Sequence, residues 1–342
     1  MPTSQNTHKA LVLPFSKGEF TISSVPIPSP APGTVVVRNA AVALNPVEWK
    51  IQKLGYLAEL ITFPTPIGLD FAGVVVSIGQ GVTNLQEGDR VVSQGNFTAE
   101  RAAFQEYTVA SAEYTAKVPA SVSLDAAASL PIGLTTAATG LYNAANLGAG
   151  LRAPWETDGR GYYKDTPILV IGGASSVGSY VIQLAKLSGF SPIYTTSSLK
   201  HASYLTSLGA THILDRTQPL NLKETFSVIY DAISEHDTQR AAAAFLAPEG
   251  TLVLVRDAPA DFNLTEGRTT KRVFGSAFHP ANTAVGKGLY ANLEKYLDDG
   301  SITPNRVEVL PGGLEGIVGG LRRHEEGTVS GVKLVVRPGE TT

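Results

Sequence analysis

The sequence predicts an α/β protein with two domains, one mostly β and one built on a doubly wound parallel sheet. At 342 residues the chain exceeds what one hydrophobic core usually supports. Up to about Pro131, short β segments alternate with Gly and Pro. From Thr166 onward, strands alternate with helical stretches, which is the pattern of a parallel sheet with crossover helices. We therefore expect one domain over residues 1–130 and 300–342, and a second over residues 131–299.

Local patterns predict the individual elements. The first domain is expected to contain strands over residues 35–38, 73–78, 90–93 and 106–110. In the second we expect strands over 168–171, 192–195, 212–214, 228–230 and 251–255, and helices over 176–187, 200–208 and 238–246. The apolar run 332–336 predicts a strand added back to the first domain, and the charged, Gly-rich stretch 149–164 predicts a surface insertion.

Composition excludes several classes of function. The net charge of −3 arises from 27 basic and 30 acidic residues without long runs, so there is no electrostatic footprint for nucleic acid or an anionic membrane. The absence of cysteine excludes disulfides, thiolate catalysis and cysteine-based zinc sites. No apolar run approaches the roughly 20 residues that cross a bilayer, and the first fifteen residues lack the pattern of a secretory signal. We expect a soluble, cytoplasmic protein.

A glycine turn predicts a dinucleotide site. Residues 168–178 read ILVIGGASSVG, an apolar strand followed by glycines and the start of a helix, which is the context that a pyrophosphate requires. The predicted cofactor-binding residues of this turn are Gly173, Ala174, Ser175, Ser176, Val177 and Gly178. Ser175 replaces the usual middle glycine, so the match is imperfect. An ordinary strand-to-helix turn is the alternative.

The end of the next strand predicts NADPH rather than NADH. An NAD site places an acid about 20 residues beyond the turn to bind the ribose hydroxyls. This chain instead offers Thr196, Ser197 and Lys200, and Arg216 at the end of the third strand, as partners for a 2′-phosphate. Either cation could instead be a solvated surface residue.

The order of these motifs resembles the medium-chain dehydrogenase/reductase superfamily over nearly the whole chain. The segments that carry the resemblance are ALNPVEWK (43–50), PIGLDFAG (66–73), GDRV (88–91), AAASLP (126–131), the glycine turn and LGA (208–210). LPGGLE (310–315) and GTVSGVK (327–333) look like the fungal stand-alone enoyl reductases and related quinone oxidoreductase-like proteins. The resemblance implies a GroES-like catalytic domain, a Rossmann domain and an active site in the cleft between them.

The resemblance also implies chemistry without zinc. Zinc alcohol dehydrogenases of this superfamily carry cysteine where Asn45 stands and histidine where Leu69 stands, so the chain lacks both ligands and we predict no metal. Asn45, together with Pro46, is expected to line the nicotinamide or to brace its loop, as is Asp70. Thr135 is expected to contact the nicotinamide or its ribose.

Without a Lewis acid, an activated C=C bond is a better hydride acceptor than an isolated ketone. Such a site needs a donor for the enolate oxygen and a proton source for the α-carbon. Lys50 is the first candidate, since the resembling branch places a lysine in this segment, and an ordinary exposed lysine is the alternative. Tyr56 is a second candidate proton donor, with simple packing as its alternative.

These inferences predict an NADPH-dependent reductase of a small enone or enoyl thioester, with an acyl carrier as a candidate partner. Two other functions stay open: an NADPH:quinone oxidoreductase, and a protein that binds NADPH without turnover. We expect a monomer or a homodimer with no nucleic-acid or membrane partner.

Overall fold

The computed structural model describes residues 6–342, so the first five residues of the N-terminal stretch lie outside the described part. The strands are β1 Thr7–Leu13, β2 Thr21–Pro26, β3 Thr34–Ala43, β4 Thr65–Pro66, β5 Asp70–Ile78, β6 Arg90–Gln94, β7 Tyr107–Ser111, β8 Thr115–Lys117, β9 Ile168–Ile171, β10 Ile193–Ser197, β11 His212–Asp215, β12 Phe226–Asp231, β13 Leu246–Leu254, β14 Thr269–Arg272, β15 Val307–Val309 and β16 Lys333–Val336. The helices are α1 Pro46–Leu54, α2 Leu124–Ala127, α3 Pro131–Tyr142, α4 Ser176–Ser188, α5 Ala202–Leu208, α6 His236–Ala243, α7 Thr283–Asp298 and α8 Gly316–Glu325.

The described chain divides into two compact units. The first holds the residues up to Ile132 together with Leu293–Asp298 and Pro304–Thr342, and the second holds Gly133–Asn292 and Asp299–Thr303. The first unit holds a seven-stranded and a three-stranded sheet, the second holds a six-stranded sheet, and each unit buries its own apolar core. This arrangement confirms the predicted fold class, a mostly β part and a parallel-sheet α/β part.

The first unit is organised around the long strand β3. Its seven-stranded sheet has the order β15-β16-β3-β5-β6-β8, and β7 pairs with β3 as well. Eight of the ten residues of β3 are buried, as expected for a strand that pairs on both sides, and Val35 and Val37 are fully buried. The predicted tail strand is present as β16, and it pairs antiparallel to β3, with Val335 opposite Ala43. This pairing sets Lys333 beside the end of β3.

The second unit contains a six-stranded sheet of parallel neighbours in the order β11-β10-β9-β12-β13-β14. Strand β9 consists of four fully buried apolar residues, as expected for a strand covered on both faces. The strand order reverses at β9, and ligands of such sheets bind outside the carboxyl end of the strands at this point. The turn between β9 and α4 occupies that position.

Several local predictions need correction. The helix predicted over 238–246 is α6, His236–Ala243, because the chain enters β13 at Leu246. Lys200 lies in a separate 3-10 turn, Leu199–His201, before α5 begins. The sheet β2-β1-β4 was not predicted, because β2 alternates weakly and β4 has only two residues. Within residues 6–342, no helix combines the length and apolar character needed to span a membrane.

Candidate functional site

The turn between β9 and α4 requires glycine at three positions. Gly172 has a φ of +78°, in the left-handed region that favours glycine. A Cβ atom at Gly173 would lie 2.2 Å from the Thr195 Oγ1, and one at Gly178 would lie 2.3 Å from the Gly172 carbonyl oxygen. The backbone of this turn is therefore closely packed on the sheet side, with no room there for side chains.

Ser175 is the N-cap of α4. Its Oγ accepts a hydrogen bond from the Gly178 amide at 3.0 Å, and its own amide donates to the Gly172 carbonyl at 2.9 Å. Ser175, Ser176 and Val177 are all predicted to bind the cofactor, but the Ser175 amide is used to close the turn. Ser176 and Val177 belong to the first helical turn, whose N–H groups have no acceptor within the helix. This half-buried helix start, at the positive end of the helix dipole, is suited to a pyrophosphate.

The residues predicted to bind a 2′-phosphate lie at the carboxyl ends of β10 and β11. Thr196 supports the glycine turn directly, because its Oγ1 accepts from the Gly172 amide at 2.9 Å. Ser197 is buried, and its carbonyl accepts from the Arg216 amide at 3.0 Å. Lys200 and Arg216 are both exposed. The fold thus brings a hydroxyl and a guanidinium-bearing residue together, with Lys200 three residues beyond the hydroxyl.

Asp215 is an acidic residue beside the predicted phosphate ligands. It pairs with Ser197 in the register of β10 and β11. Its carboxylate accepts hydrogen bonds from the Thr217 amide and hydroxyl at 3.0 and 2.9 Å, and these bonds hold its pKa below the ordinary value. The Asp215 carboxylate is therefore engaged by hydrogen bonds within its own turn.

The first turn of α3 lies beside the start of α4. A Cβ atom at Gly133 would lie 2.5 Å from the Ser176 Oγ, so the two helices approach closely within the second unit. Thr135 follows in α3 with a fully buried side chain, and its hydroxyl has no hydrogen-bond partner among residues 6–342. A buried hydroxyl without a partner is costly. A nicotinamide amide or a ribose hydroxyl would satisfy it, so Thr135 and the glycine turn fit a bound dinucleotide.

A buried cluster of polar side chains joins three segments of the first unit. The Lys333 ammonium contacts the Asp70 carboxylate at 2.9 Å and donates to the Asn45 side-chain oxygen at 2.5 Å. The Asn45 side-chain nitrogen donates to the same Asp70 carboxylate at 2.9 Å. The other Asp70 oxygen accepts from the Ile132 amide at 2.7 Å, at the start of α3. All three side chains are at most 5% exposed.

Glu48 extends this cluster from the first turn of α1. Its carboxylate accepts from the Asn45 amide at 2.6 Å and from the Leu69 amide at 3.2 Å, and it lies 3.3 Å from the Asn45 side-chain nitrogen. Asn45 therefore uses both ends of its side-chain amide on buried partners. Of its two predicted roles, this geometry supports bracing of the loop. Pro46, the next residue, is exposed at the first position of α1.

Burial dominates the electrostatics of the cluster. Desolvation raises the pKa of Glu48 to about 8, with a smaller contribution of the same sign from Asp70, while the Asn45 amide and the Lys333 charge act in the opposite direction. His324 of α8 responds oppositely, because desolvation and then the Lys333 charge lower its pKa to about 4. The site thus holds one fully buried carboxyl that favours its protonated form near neutral pH.

This arrangement predicts a stability that falls with rising pH. Because the folded pKa of Glu48 exceeds the unfolded value of 4.5, its contribution is greatest below pH 4.5 and is lost as the pH rises to about 8. His324 has the opposite effect at lower pH. Because its folded pKa is lowered from 6.5 to about 4, the stability that it contributes is lost as the pH falls below 6.5. Denaturant unfolding between pH 6.5 and 8 avoids the window of His324, and the slope that Glu48 contributes there should be at most about 1.4 kcal/mol per pH unit.

The control for this prediction is the exposed residue Glu87. Glu48→Gln should flatten the pH dependence in that window, whereas Glu87→Gln should leave it unchanged. If the unfolding free energy of Glu48→Gln depended on pH as steeply as that of the wild type, the effect would belong to another group.

The two candidate proton donors lie at the carboxyl end of α1. The half-buried Lys50 holds its ammonium 5.8 Å from the centroid of the Trp49 ring, within cation–π range. The Tyr56 amide donates to the Lys50 carbonyl at 3.2 Å, and the Tyr56 side chain is 38% exposed. One backbone hydrogen bond thus links the two residues, and the side chain of each is at least partly exposed.

Sequence reasoning missed Glu48 and Lys333. Glu48 had a detectable signal, since an Asn followed three residues later by Glu is the pattern of a capping box. Lys333 had a weaker one, a single lysine at the start of an otherwise apolar strand. Buried lysines are nearly always paired, but nothing in the sequence identifies the partner.

Comparison with known proteins agrees with this architecture. Residues 31–120 match the alcohol dehydrogenase GroES-like domain, and residues 176–283 match the zinc-binding dehydrogenase family. The dehydrogenase azaJ of Aspergillus niger is 33% identical, over 96% of this chain and 99% of its own. The trans-enoyl reductase grgB of a Penicillium species is 30% identical, over 98% of this chain and 99% of its own. The crystal structure of an alcohol dehydrogenase superfamily protein from Novosphingobium aromaticivorans superposes with a TM-score of 0.80 at 21% identity, covering 97% of this chain and 99% of the other.

The chain belongs to the medium-chain dehydrogenase/reductase superfamily, a superfamily of pyridine-nucleotide-dependent oxidoreductases. Its relatives among fungal dehydrogenases and trans-enoyl reductases confirm the resemblance inferred from the motifs.

Proposed function

We propose that the protein is an NADPH-dependent reductase of activated C=C bonds that works without zinc. The observation that carries the zinc-free part of this proposal is the Lys333 ammonium, which is bonded to the oxygens of both Asn45 and Asp70. These two oxygens are the remaining candidate metal ligands in the segments where zinc enzymes of the superfamily hold their metal. In this chain both oxygens already bind the Lys333 ammonium. Among residues 6–342, no group of three or more His, Asp or Glu side chains is arranged to hold a metal ion.

A bound dinucleotide would be held by residues of the second unit. The start of α4 at Ser176 and Val177 would bind the pyrophosphate, and the Thr135 hydroxyl would bind the nicotinamide or its ribose. Ser197, Lys200 and Arg216 would bind the 2′-phosphate. When bound, the reduced nicotinamide supplies the hydride that adds to the β-carbon of the substrate.

The remaining chemistry falls to polar groups of the chain. As the β-carbon gains hydride, negative charge develops on the carbonyl oxygen, and the α-carbon then takes up a proton. Lys50 is the residue proposed to donate to the oxygen or to protonate the α-carbon, and Tyr56 is the second candidate for the proton. An enone and an enoyl thioester present the same reacting atoms, and the similarity to trans-enoyl reductases supports the thioester. On this account an acyl carrier protein is a candidate partner.

The decisive assay follows NADPH absorbance while the purified protein meets an aliphatic enone, crotonyl N-acetylcysteamine thioester, a benzoquinone and a simple ketone. We expect oxidation with the enone and the thioester that survives EDTA, and slow turnover with NADH. Oxidation with the quinone alone would replace the proposal by a quinone reductase. Tight NADPH binding with no turnover on any substrate would favour a non-catalytic binding protein.

Nucleotide preference depends on the cations beyond β10. Lys200→Ala should weaken NADPH binding about tenfold, the effect of losing about 1.4 kcal/mol of charge-assisted contact, while NADH binding stays unchanged. Lys223→Ala, which removes another exposed lysine of the same unit, is the control and should affect neither nucleotide. Dissociation constants from NADPH and NADH fluorescence measure both. Equal weakening of the two nucleotides would show that Lys200 does not read the 2′-phosphate.

A further inference from the structure

The buried cluster in the first unit contains an amide whose orientation is set by charge. The Asn45 side-chain oxygen faces the Lys333 ammonium, and its nitrogen faces the Asp70 and Glu48 carboxyls. A flipped amide would direct N–H groups at an ammonium that cannot accept, and its oxygen at the Asp70 carboxylate, which cannot donate. Only one orientation satisfies both ends.

Lys333 is the cation that makes this orientation unique. It is 3% exposed and reaches the cluster from β16, 288 residues beyond Asn45. Without it, the Asn45 oxygen and the Asp70 carboxylate would both lose a donor in a buried environment, where an unpaired charge is strongly destabilising. The ammonium thus joins β16 to β5 and to Asn45, the N-cap of α1.

Helix α1 transmits this constraint to Lys50. Asn45 is its N-cap and Glu48 lies in its first turn, so the cluster holds the amino end of the helix. The carboxyl end is held separately, because the Gln52 side chain donates to the Gly18 carbonyl at 3.3 Å. Lys50 lies between these two points of attachment, on a helix of only nine residues.

We propose that Lys333 is a positioning residue that, through the Asn45 amide and the start of α1, fixes the placement of the Lys50 side chain. In its catalytic consequence the proposal rests on the proposed reductase function. It assigns Lys333 no contact with substrate. Its loss should therefore lower the rate of the chemical step more than it weakens the binding of either ligand.

The test compares variants that remove the cation with and without its counter-charge. Lys333→Met alone leaves the Asp70 carboxylate unpaired and is expected to lower the Tm strongly or to prevent folding. Lys333→Met with Asp70→Asn removes both charges and keeps an oxygen for the Ile132 amide, so this variant should fold. Lys333→Arg keeps the cation and its donors. Lys117→Met, which breaks a partly exposed contact to Asp89 in the same unit, is the matched control.

With crotonyl N-acetylcysteamine thioester, the double variant should lose about 10- to 100-fold in kcat, the cost of a misplaced catalytic group. Its KM and its NADPH dissociation constant should stay within about threefold, and Lys333→Arg should recover most of the rate. Lys117→Met should match the wild type. A folded double variant with wild-type kcat would overturn the proposal.

Hydrogen–deuterium exchange separates this proposal from the proposed function. The double variant should exchange faster in peptides covering residues 44–56, and Lys117→Met should not. If the wild-type protein reduced no substrate, the reductase assignment would fail while the exchange data still decided whether Lys333 orders α1. Unchanged exchange in this segment would show that Lys333 does not position it.

Discussion

Replacing Gly178 by alanine is expected to raise the dissociation constant for NADPH by about 100-fold, equivalent to about 2.7 kcal/mol. The new methyl group would lie 2.3 Å from the Gly172 carbonyl oxygen, which is backbone and cannot rotate away. Helix α4 must therefore move from the turn, and its first amides would no longer converge on one anion. The same overpacking should cost about 1–3 kcal/mol of stability. Nucleotide fluorescence measures the binding, and denaturant unfolding measures the stability.

Gly319 provides a matched control for this substitution. It lies in α8, and an added Cβ atom would meet no atom within 4 Å. Gly319→Ala should bind NADPH normally and should stabilise the helix slightly, because alanine has the higher helix propensity. A folded Gly178→Ala variant that bound NADPH within about threefold of the wild type would place the nucleotide elsewhere.

A second position in the turn allows a rescue experiment. An alanine at Gly173 would collide chiefly with the hydroxyl of Thr195, at 2.2 Å. Gly173→Ala should therefore weaken NADPH binding, and adding Thr195→Ala should restore part of the affinity. Partial recovery of NADPH affinity in the double variant would show that Gly173→Ala weakens binding by displacing the turn, and not by altering the amide of residue 173.

The second large effect is expected from Lys50→Met. If Lys50 donates to the carbonyl oxygen or the α-carbon, its loss should lower kcat about 10²- to 10⁴-fold, the usual contribution of a positioned acid. The NADPH dissociation constant should not change, because no proposed nucleotide contact involves this side chain. Steady-state kinetics with the enone and the thioester measure the effect.

Lys53→Met is the control within the same helix. Lys53 lies one turn beyond Lys50, and its exposed pair with Glu19 at 3.0 Å contributes little to stability. Its removal should leave kcat unchanged. Tyr56→Phe distinguishes the two candidates, since a larger loss there than in Lys50→Met would make the tyrosine the proton donor. Wild-type kcat in both variants would exclude this end of α1 from the chemistry.

Much of the second unit could be predicted from sequence because its signals are local. The strand 168–171 and the helix beginning at Ser176 follow from an apolar run and a glycine turn that are contiguous in the chain. The prediction was less accurate where two elements compete for one stretch. Helix α6 ends at Ala243 because the chain enters β13 at Leu246. The helical spacing of the apolar residues alone did not show where the helix ends.

The predicted site residues also differ in how far local sequence specifies them. The glycines lie within one strand–turn–helix unit, so composition and order were informative there, whereas Thr196 reaches the turn from the next strand, β10. The use of the Ser175 amide inside the turn depends on backbone geometry that residue types do not specify. Lys50 and Tyr56 were named from a resemblance, and the structure adds that one backbone hydrogen bond links them.

The sequence by itself determined the two-domain α/β architecture and the strand–glycine turn–helix unit, since both depend on periodicity and on neighbouring residues. Only the tertiary structure revealed the cluster of Asn45, Glu48, Asp70 and Lys333. Its members come from α1, β5 and β16, and the pairing of β16 with β3 determines that the lysine meets the carboxylates. A buried charge needs a partner in space, and strand pairing, which joins residues hundreds of positions apart, decides which partner it has.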